Sequence, residues 1–307
     1  MPIIGSLAGA SARGYGGLFA AAAGGGTSSD RGIFGNLTSS ASMEYITIST
    51  TGNGTTFGNS TVARGVSQGC GSATRILFGG GTDGARTNVI DYFTSATTGN
   101  ATDFGDLTVA RLSLAGAGNS TRGIWAGGND STFSNIIDYV TIASTGNATD
   151  FGDLTAGRQQ VGGAGNTTRS LFFDGENPSF TSTIDYITIA TTGNATSFGS
   201  LTSARSDMYS ACASSTRAVH SAGYISQTAM GYVTIASTGN ATEFGTYSSR
   251  YANWALSNKT RGVFGCGTGS GMAYITIATT GNALSFGTEL NTSARTAGAS
   301  DCGGGVA

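Results

Sequence analysis

Short runs of β-branched and aromatic residues, five to eight long and bounded by Gly, Asn, Ser or Thr, recur along most of the chain. One stretch shows the pattern in full: Leu112 to Gly118, then Arg122-Gly-Ile-Trp-Ala-Gly-Gly128, Ile136-Ile-Asp-Tyr-Val-Thr-Ile-Ala143 and Thr149-Asp-Phe-Gly-Asp-Leu-Thr155. Runs of this length and composition predict four strands, here called a to d. The Gly-Asn pair between c and d predicts a tight hairpin, since both residues tolerate positive φ. No stretch with helical period and caps is present, so the expectation is all-β.

The pattern is a tandem repeat. Six segments follow Tyr-x-Thr-x-Ala-Thr-Thr-Gly-Asn-Ala-Thr-x-Phe-Gly, with asparagines at Asn53, Asn100, Asn147, Asn194, Asn240 and Asn282, so that the steps are 47, 47, 47, 46 and 42. Each has its tyrosine (Tyr45, Tyr92, Tyr139, Tyr186, Tyr232, Tyr274) and its phenylalanine (Phe57, Phe104, Phe151, Phe198, Phe244, Phe286). Two arginine columns accompany them: Arg64, Arg111, Arg158, Arg205, Arg250 and Arg295, echoed by Arg13, and Arg31, Arg75, Arg122, Arg169, Arg217 and Arg261. Thirteen of the fourteen arginines fall in these columns and Arg86 alone does not, which assigns arginine mainly to architecture. A four-stranded meander repeated at about 47 residues is the signature of a β-propeller.

Six blades are expected over residues 27–307, with residues 1–26 as an N-terminal arm or closing strand. The segment Arg295 to Cys302 reads as a strand a with nothing after it, able to complete a blade whose strands b to d are Arg31 to Asn59. The alternative pairs Pro2 to Ala8, which echoes Phe198-Gly-Ser-Leu-Thr202, with the C-terminal strand in a partial seventh blade. Either closure satisfies the strand edges that would otherwise template aggregation.

A meander places turns a–b and c–d at one end and turns b–c and d–a at the other. The first end carries near-identical Ser-Thr-Arg and Thr-Gly-Asn-Ala-Thr segments; the second carries the first arginine column and loops that differ between blades. These loops, Thr82 to Thr87, Asn129 to Asn135, Glu176 to Thr183 and Tyr224 to Ala229, display Phe133, Phe180 and Tyr224. Variable loops on a rigid scaffold usually carry recognition, so Phe133, Phe180 and Tyr224 are the candidate binding residues of this face. Arg64, Arg111, Arg158 and Arg205 join them as a cationic mouth for anions, against the competing expectation that they lock blades through recurring acids: Asp103, Asp106, Asp150, Asp153 and Glu243.

Composition narrows the classes. Glycine takes 51 of 307 positions, only 10% of residues are charged, and 38% are hydrophobic, which excludes a disordered chain. Fifteen Lys+Arg against seventeen Asp+Glu argue against a nucleic-acid partner. No run approaches a helical membrane span, so no membrane insertion is expected. Residues 1–26 lack a basic segment and a clear apolar core, which argues against a cleaved signal peptide. Cys70, Cys212, Cys266 and Cys302 form no Cys-x-x-Cys pair, His220 is the single histidine, and no catalytic residue, metal site or cofactor is expected. Sequons at Asn53, Asn100, Asn119, Asn147, Asn166, Asn194 and Asn240 read as turn chemistry.

Arg at the head of strand a, a Gly-Gly doublet after strand b (Gly79-Gly80, Gly127-Gly128), Tyr in c and an aromatic in d resemble the kelch repeat, with Phe in place of the usual Trp. Galactose-oxidase-type copper chemistry on a related propeller needs two histidines, and sialidase Ser-x-Asp-x-Gly-x-Thr-Trp boxes are absent. The low-divergence version Thr-Gly-Asn-Ala-Thr-x-Phe-Gly-x-Leu-Thr also resembles Gly/Thr-rich virion proteins of marine tailed phages, notably cyanophages. That resemblance implies a non-enzymatic structural protein of the extracellular particle, tail-associated, with other virion proteins and a host surface glycan or protein as partners. A head decoration protein and a free lectin-like propeller are the alternatives.

Overall fold

A computed structural model describes residues 30–37, 40–205, 210–221, 228–247, 252–266, 270–290 and 297–300. The N-terminal arm and Tyr224 lie outside these residues, as does the side chain of Arg205. Among the described residues there is no helix, and twenty-four strands form six four-stranded antiparallel sheets. The chain is a six-bladed β-propeller.

In chain order, β1 (Arg31–Leu37), β2 (Ser40–Thr47) and β3 (Thr55–Asn59) are strands b, c and d of blade 1. Blade 2 is β4 (Gln68–Gly71), β5 (Arg75–Gly79), β6 (Val89–Thr94) and β7 (Thr102–Asp106). Blade 3 is β8 (Ala115–Gly118), β9 (Arg122–Ala126), β10 (Ile136–Thr141) and β11 (Thr149–Asp153). Blade 4 is β12 (Gly162–Gly165), β13 (Arg169–Phe173), β14 (Thr181–Thr188) and β15 (Thr196–Arg205). Blade 5 is β16 (Ala211–Ala213), β17 (Arg217–His220), β18 (Ala229–Thr234) and β19 (Thr242–Thr246). Blade 6 is β20 (Ala252–Ser257), β21 (Arg261–Cys266), β22 (Gly271–Thr276) and β23 (Leu284–Thr288). The last strand, β24 (Ala297–Ala299), pairs with β1 in the register Ile33↔Ala299, Phe34↔Gly298, Gly35↔Ala297, and so completes blade 1 from the far end of the chain.

The hydrophobic core is not one body. It consists of six clusters, one at each blade–blade interface, such as Leu77, Phe104 and Leu107 of blade 2 against Leu114, Trp125 and Val140 of blade 3. The closing interface is built the same way, with Phe34 of blade 1 stacked on Trp254 of blade 6 at 4.3 Å between ring centroids. Side-chain volumes are matched across these interfaces. Cys70, Cys212 and Leu256 on innermost strands face Gly123, Gly262 and Gly32 of the next blade, where an added Cβ would collide with them.

The second arginine column links the blades. In all six, the guanidinium lies over the strand-c tyrosine of its own blade, 4.3–4.9 Å from the ring centroid. It also donates to a carbonyl at the end of strand c in the next blade, as Arg122 does to Ile189 at 2.6 Å. Arg261 makes the same bonds to Ile48 and Ser49 of blade 1, at 3.2 and 2.8 Å, so the series closes on itself.

The Gly-Asn segments do not form the expected tight hairpin. Seven residues, Ile142 to Ala148, separate β10 from β11, and Asn147 is not in the positive-φ region. The segment instead lies along strand d of the preceding blade. Gly193 N donates to Phe151 O and Ala195 N to Asp153 O, both at 2.7 Å, while Asp153 N donates to Asn194 Oδ1 at 3.1 Å. The same side-chain bond occurs at all six asparagines, ending with Thr288 N to Asn53 Oδ1. Each outer strand edge is thereby covered by its neighbour.

Candidate functional site

The described side chains of the first arginine column are buried. Arg64, Arg111 and Arg158 are 0%, 0% and 1% exposed, so none faces solvent as an anion mouth requires. Their guanidiniums pair with Asp91, Asp138 and Asp185 at 2.7, 2.9 and 2.9 Å. They also donate to the strand-b carbonyls of Phe78, Trp125 and Phe172. Each aspartate additionally accepts from the backbone N and hydroxyl of Thr61, Thr108 or Thr155, three residues before the arginine. The Thr-x-x-Arg segment is the crossover arriving from the preceding blade, so this cluster fastens one blade's exit to the next blade's strand c. The carboxylates are therefore not Asp103, Asp106, Asp150, Asp153 or Glu243. The partners sit inside the apolar strand c, 27 residues after each arginine. Burial pushes the Asp138 carboxyl above its usual range, against the opposing pull of Arg111 and Thr108, and burial likewise lowers Arg111 against Asp138.

The loops of the second face are ordered by the same bonds in three blades. Bridges Thr82↔Arg86, Asn129↔Phe133 and Glu176↔Phe180 close three equivalent miniature hairpins, and Gly65↔Thr82, Leu112↔Asn129 and Gln159↔Glu176 tie them to the incoming crossovers. The positive φ angles of Gly80 (65°) and Gly127 (66°), with Gly81 and Gly128 at 107° and 105°, align these loops. The blade-2 doublet is accordingly Gly80-Gly81, with Gly79 inside β5.

That alignment brings Arg86, Phe133 and Phe180 to one structural position on three adjacent loops. Both phenylalanines are half-buried, while Arg86 is exposed. Beneath them runs a chain of hydrogen bonds across the three blades. Arg86 Nη2 donates to Asn129 Oδ1 (2.7 Å), Asn129 Nδ2 to Gln159 Oε1 (2.8 Å), and Gln159 Nε2 to Glu176 Oε2 (3.1 Å). Sequence reading found the two phenylalanines and set Arg86 apart. A count of 47 residues from Arg86 to Phe133 and from Phe133 to Phe180 was the available signal. Nearby, burial would raise the Asp130 carboxyl, but the hydrogen bonds from the backbone N and hydroxyl of Thr132 hold it below its usual value.

The ring axis offers little room. The innermost strands approach closely through Gly69, Gly116, Gly163 and Gly298, leaving about 40 Å³ between them. That space suits water, whereas ligand pockets run to roughly 300–1,000 Å³. His220 is fully buried in strand b, where the other blades have Phe34, Phe78, Trp125, Phe172 and Phe264. Its ring packs 5.9 Å from that of Phe173, which is a packing position. Cys70 and Cys212 are buried free thiols, and burial pushes the Cys212 thiol up, away from reactivity. Among the described residues no three His, Cys, Asp or Glu side chains converge as a metal site.

No protein-family model matches the chain, and no curated protein matches it.

Proposed function

We propose that this chain is a non-enzymatic structural and adhesive component of a phage particle, associated with the tail, in which a closed propeller presents its variable-loop face to a host surface. The observation that carries the recognition part is the three-loop patch: one backbone frame, fixed by identical bridges, that displays Arg86, Phe133 and Phe180 at equivalent positions. A scaffold that holds its loops rigid while their side chains differ limits the ordering cost of binding. The narrow axis and the packed-in histidine support a role without catalysis. The kelch-like repeat and the phage-virion assignment rest on the sequence resemblance alone.

Mass spectrometry of purified particles tests the placement, and a fixed copy number is expected; absence of the chain from particles rules it out. For the loop face, Phe133→Ala with Phe180→Ala is expected to reduce attachment of the protein to host cells at least tenfold with an unchanged melting temperature. Undiminished attachment would remove the patch from the proposal.

A further inference from the structure

On the outer strands of the ring, at the end opposite the variable loops, the c–d connections enclose shallow hollows. In blade 3 the hollow is lined by Tyr139, Thr141, Ser144, Thr145, Asn147 and Thr149 and holds about 230 Å³. Its counterparts in blades 1, 5 and 6 hold about 160, 160 and 170 Å³. No charged side chain lines any of the four.

Three polar groups in this repeated lining are unused by the fold. The tyrosine ring is held by arginine over its face and by phenylalanine at its edge, 5.7–6.2 Å between centroids, yet its hydroxyl bonds to no described residue in any blade. Thr51, Thr98, Thr145, Thr192, Thr238 and Thr280 are exposed in all six blades and bond to nothing among the described residues. The asparagine spends Oδ1 on the preceding blade, which leaves Nδ2 as an outward donor. The fold alone would be served by phenylalanine, alanine and, at the last position, any acceptor. Neighbouring exposed positions do drift: the residue before the strand-d phenylalanine is Thr56, Asp103, Asp150, Ser197, Glu243 and Ser285 in turn. The tyrosine, threonine and asparagine are the same six times over.

We infer that these hollows are equivalent subsites for uncharged saccharide residues. An aromatic wall, two hydroxyls and an amide donor with no charge match a neutral sugar, and the volumes fall below the roughly 300 Å³ at which drug-sized ligand pockets begin. A single shallow subsite binds weakly, but subsites spaced round one rigid ring engage a repeating glycan at several points, for which avidity gains of about 10²–10⁴ are usual. The inference does not depend on the chain belonging to a particle.

The experiment applies the full chain to an array of uncharged glucan, galactan and mannan oligosaccharides of increasing length, beside uronate-containing and sulfated ones. Binding to at least one uncharged series, rising with oligosaccharide length, is expected. Replacing all six tyrosines by phenylalanine keeps the arginine and phenylalanine contacts and is expected to cut that binding at least tenfold. A second variant, Thr98→Ala with Thr145→Ala and Thr192→Ala, removes only exposed hydroxyls and is expected to cut it severalfold with an unchanged melting temperature. The inference falls if the native chain binds no uncharged oligosaccharide, or if the threonine variant binds as tightly as the native chain. It also falls if binding is lost only when Phe133 and Phe180 become alanine, an outcome that leaves recognition by the loop face standing.

Discussion

Asp138 shows what a single residue does in this molecule. Its carboxylate collects Arg111 and both donors of Thr108 in a site sealed from water. Removing one partner of a buried pair leaves an uncompensated charge, which costs about 3–5 kcal/mol. Asp138→Ala is therefore expected to lower stability by that order in urea denaturation, and Asp138→Leu with Arg111→Met to recover much of the loss. Equal losses in both would contradict the account. Val66 provides a residue effect of opposite sign. It sits at φ 58°, in the left-handed region where a β-branched side chain is strained. Val66→Asn is expected to raise stability by about 1 kcal/mol, seen as a higher melting temperature. Neither case was legible from composition. The aspartate is hidden inside an apolar strand, and sequence proximity favoured the exposed Asp103 and Asp150 instead. The strain at Val66 arises from the tertiary course of the crossover, which no local propensity encodes.

Among elements, strand d owes its shape to the Phe-Gly pair. A register shift opposite each pair turns the phenylalanine into the interface, and the glycine lets the next blade's backbone pass. At Gly152, φ is 141° and an added Cβ would lie 2.5 Å from the Gly193 carbonyl. Gly152→Ala is expected to destabilise the chain by about 1–3 kcal/mol, measured by denaturant midpoint, because the neighbouring backbone must move. The matched volumes of Leu256 and Gly32 predict coupling: Gly32→Ala is harmful alone and at least partly rescued by Leu256→Ala. A double-mutant cycle with no interaction term would contradict the match. The four strands and their order were legible because each run of β-branched and aromatic residues has its own boundaries. The c–d connection was misread because Gly-Asn suits a two-residue turn equally well, and what decides against it is the neighbouring strand edge, a partner about forty residues away in sequence. The loop patch was half legible for a related reason, since Arg86 and Phe133 share a position but no chemistry.

For the whole molecule, six interfaces of one design replace a central core, so stability depends on the ring being shut. Regular spacing of the tyrosine, asparagine and arginine columns made the six copies legible, and the orphan strand after Arg295 pointed to the closure. Sequence alone left six and seven blades both open, because the choice is one of strand pairing between the chain's extremities. The pairing of β24 with β1 settles it at six. Around that seam the stacking of Phe34 on Trp254 and the bonds from Arg261 to Ile48 and Ser49 hold blade 6 to blade 1. Amide hydrogen exchange of residues 31–37, in the full chain and in one ending at Thr296, tests this most directly. The seam predicts slow exchange at Ile33 and Gly35, whose amides point to β24, in the full chain, and fast exchange there after truncation, spreading to residues 252–266. Exchange at Ile33 and Gly35 that is indifferent to the loss of β24 would contradict a ring closed by that strand.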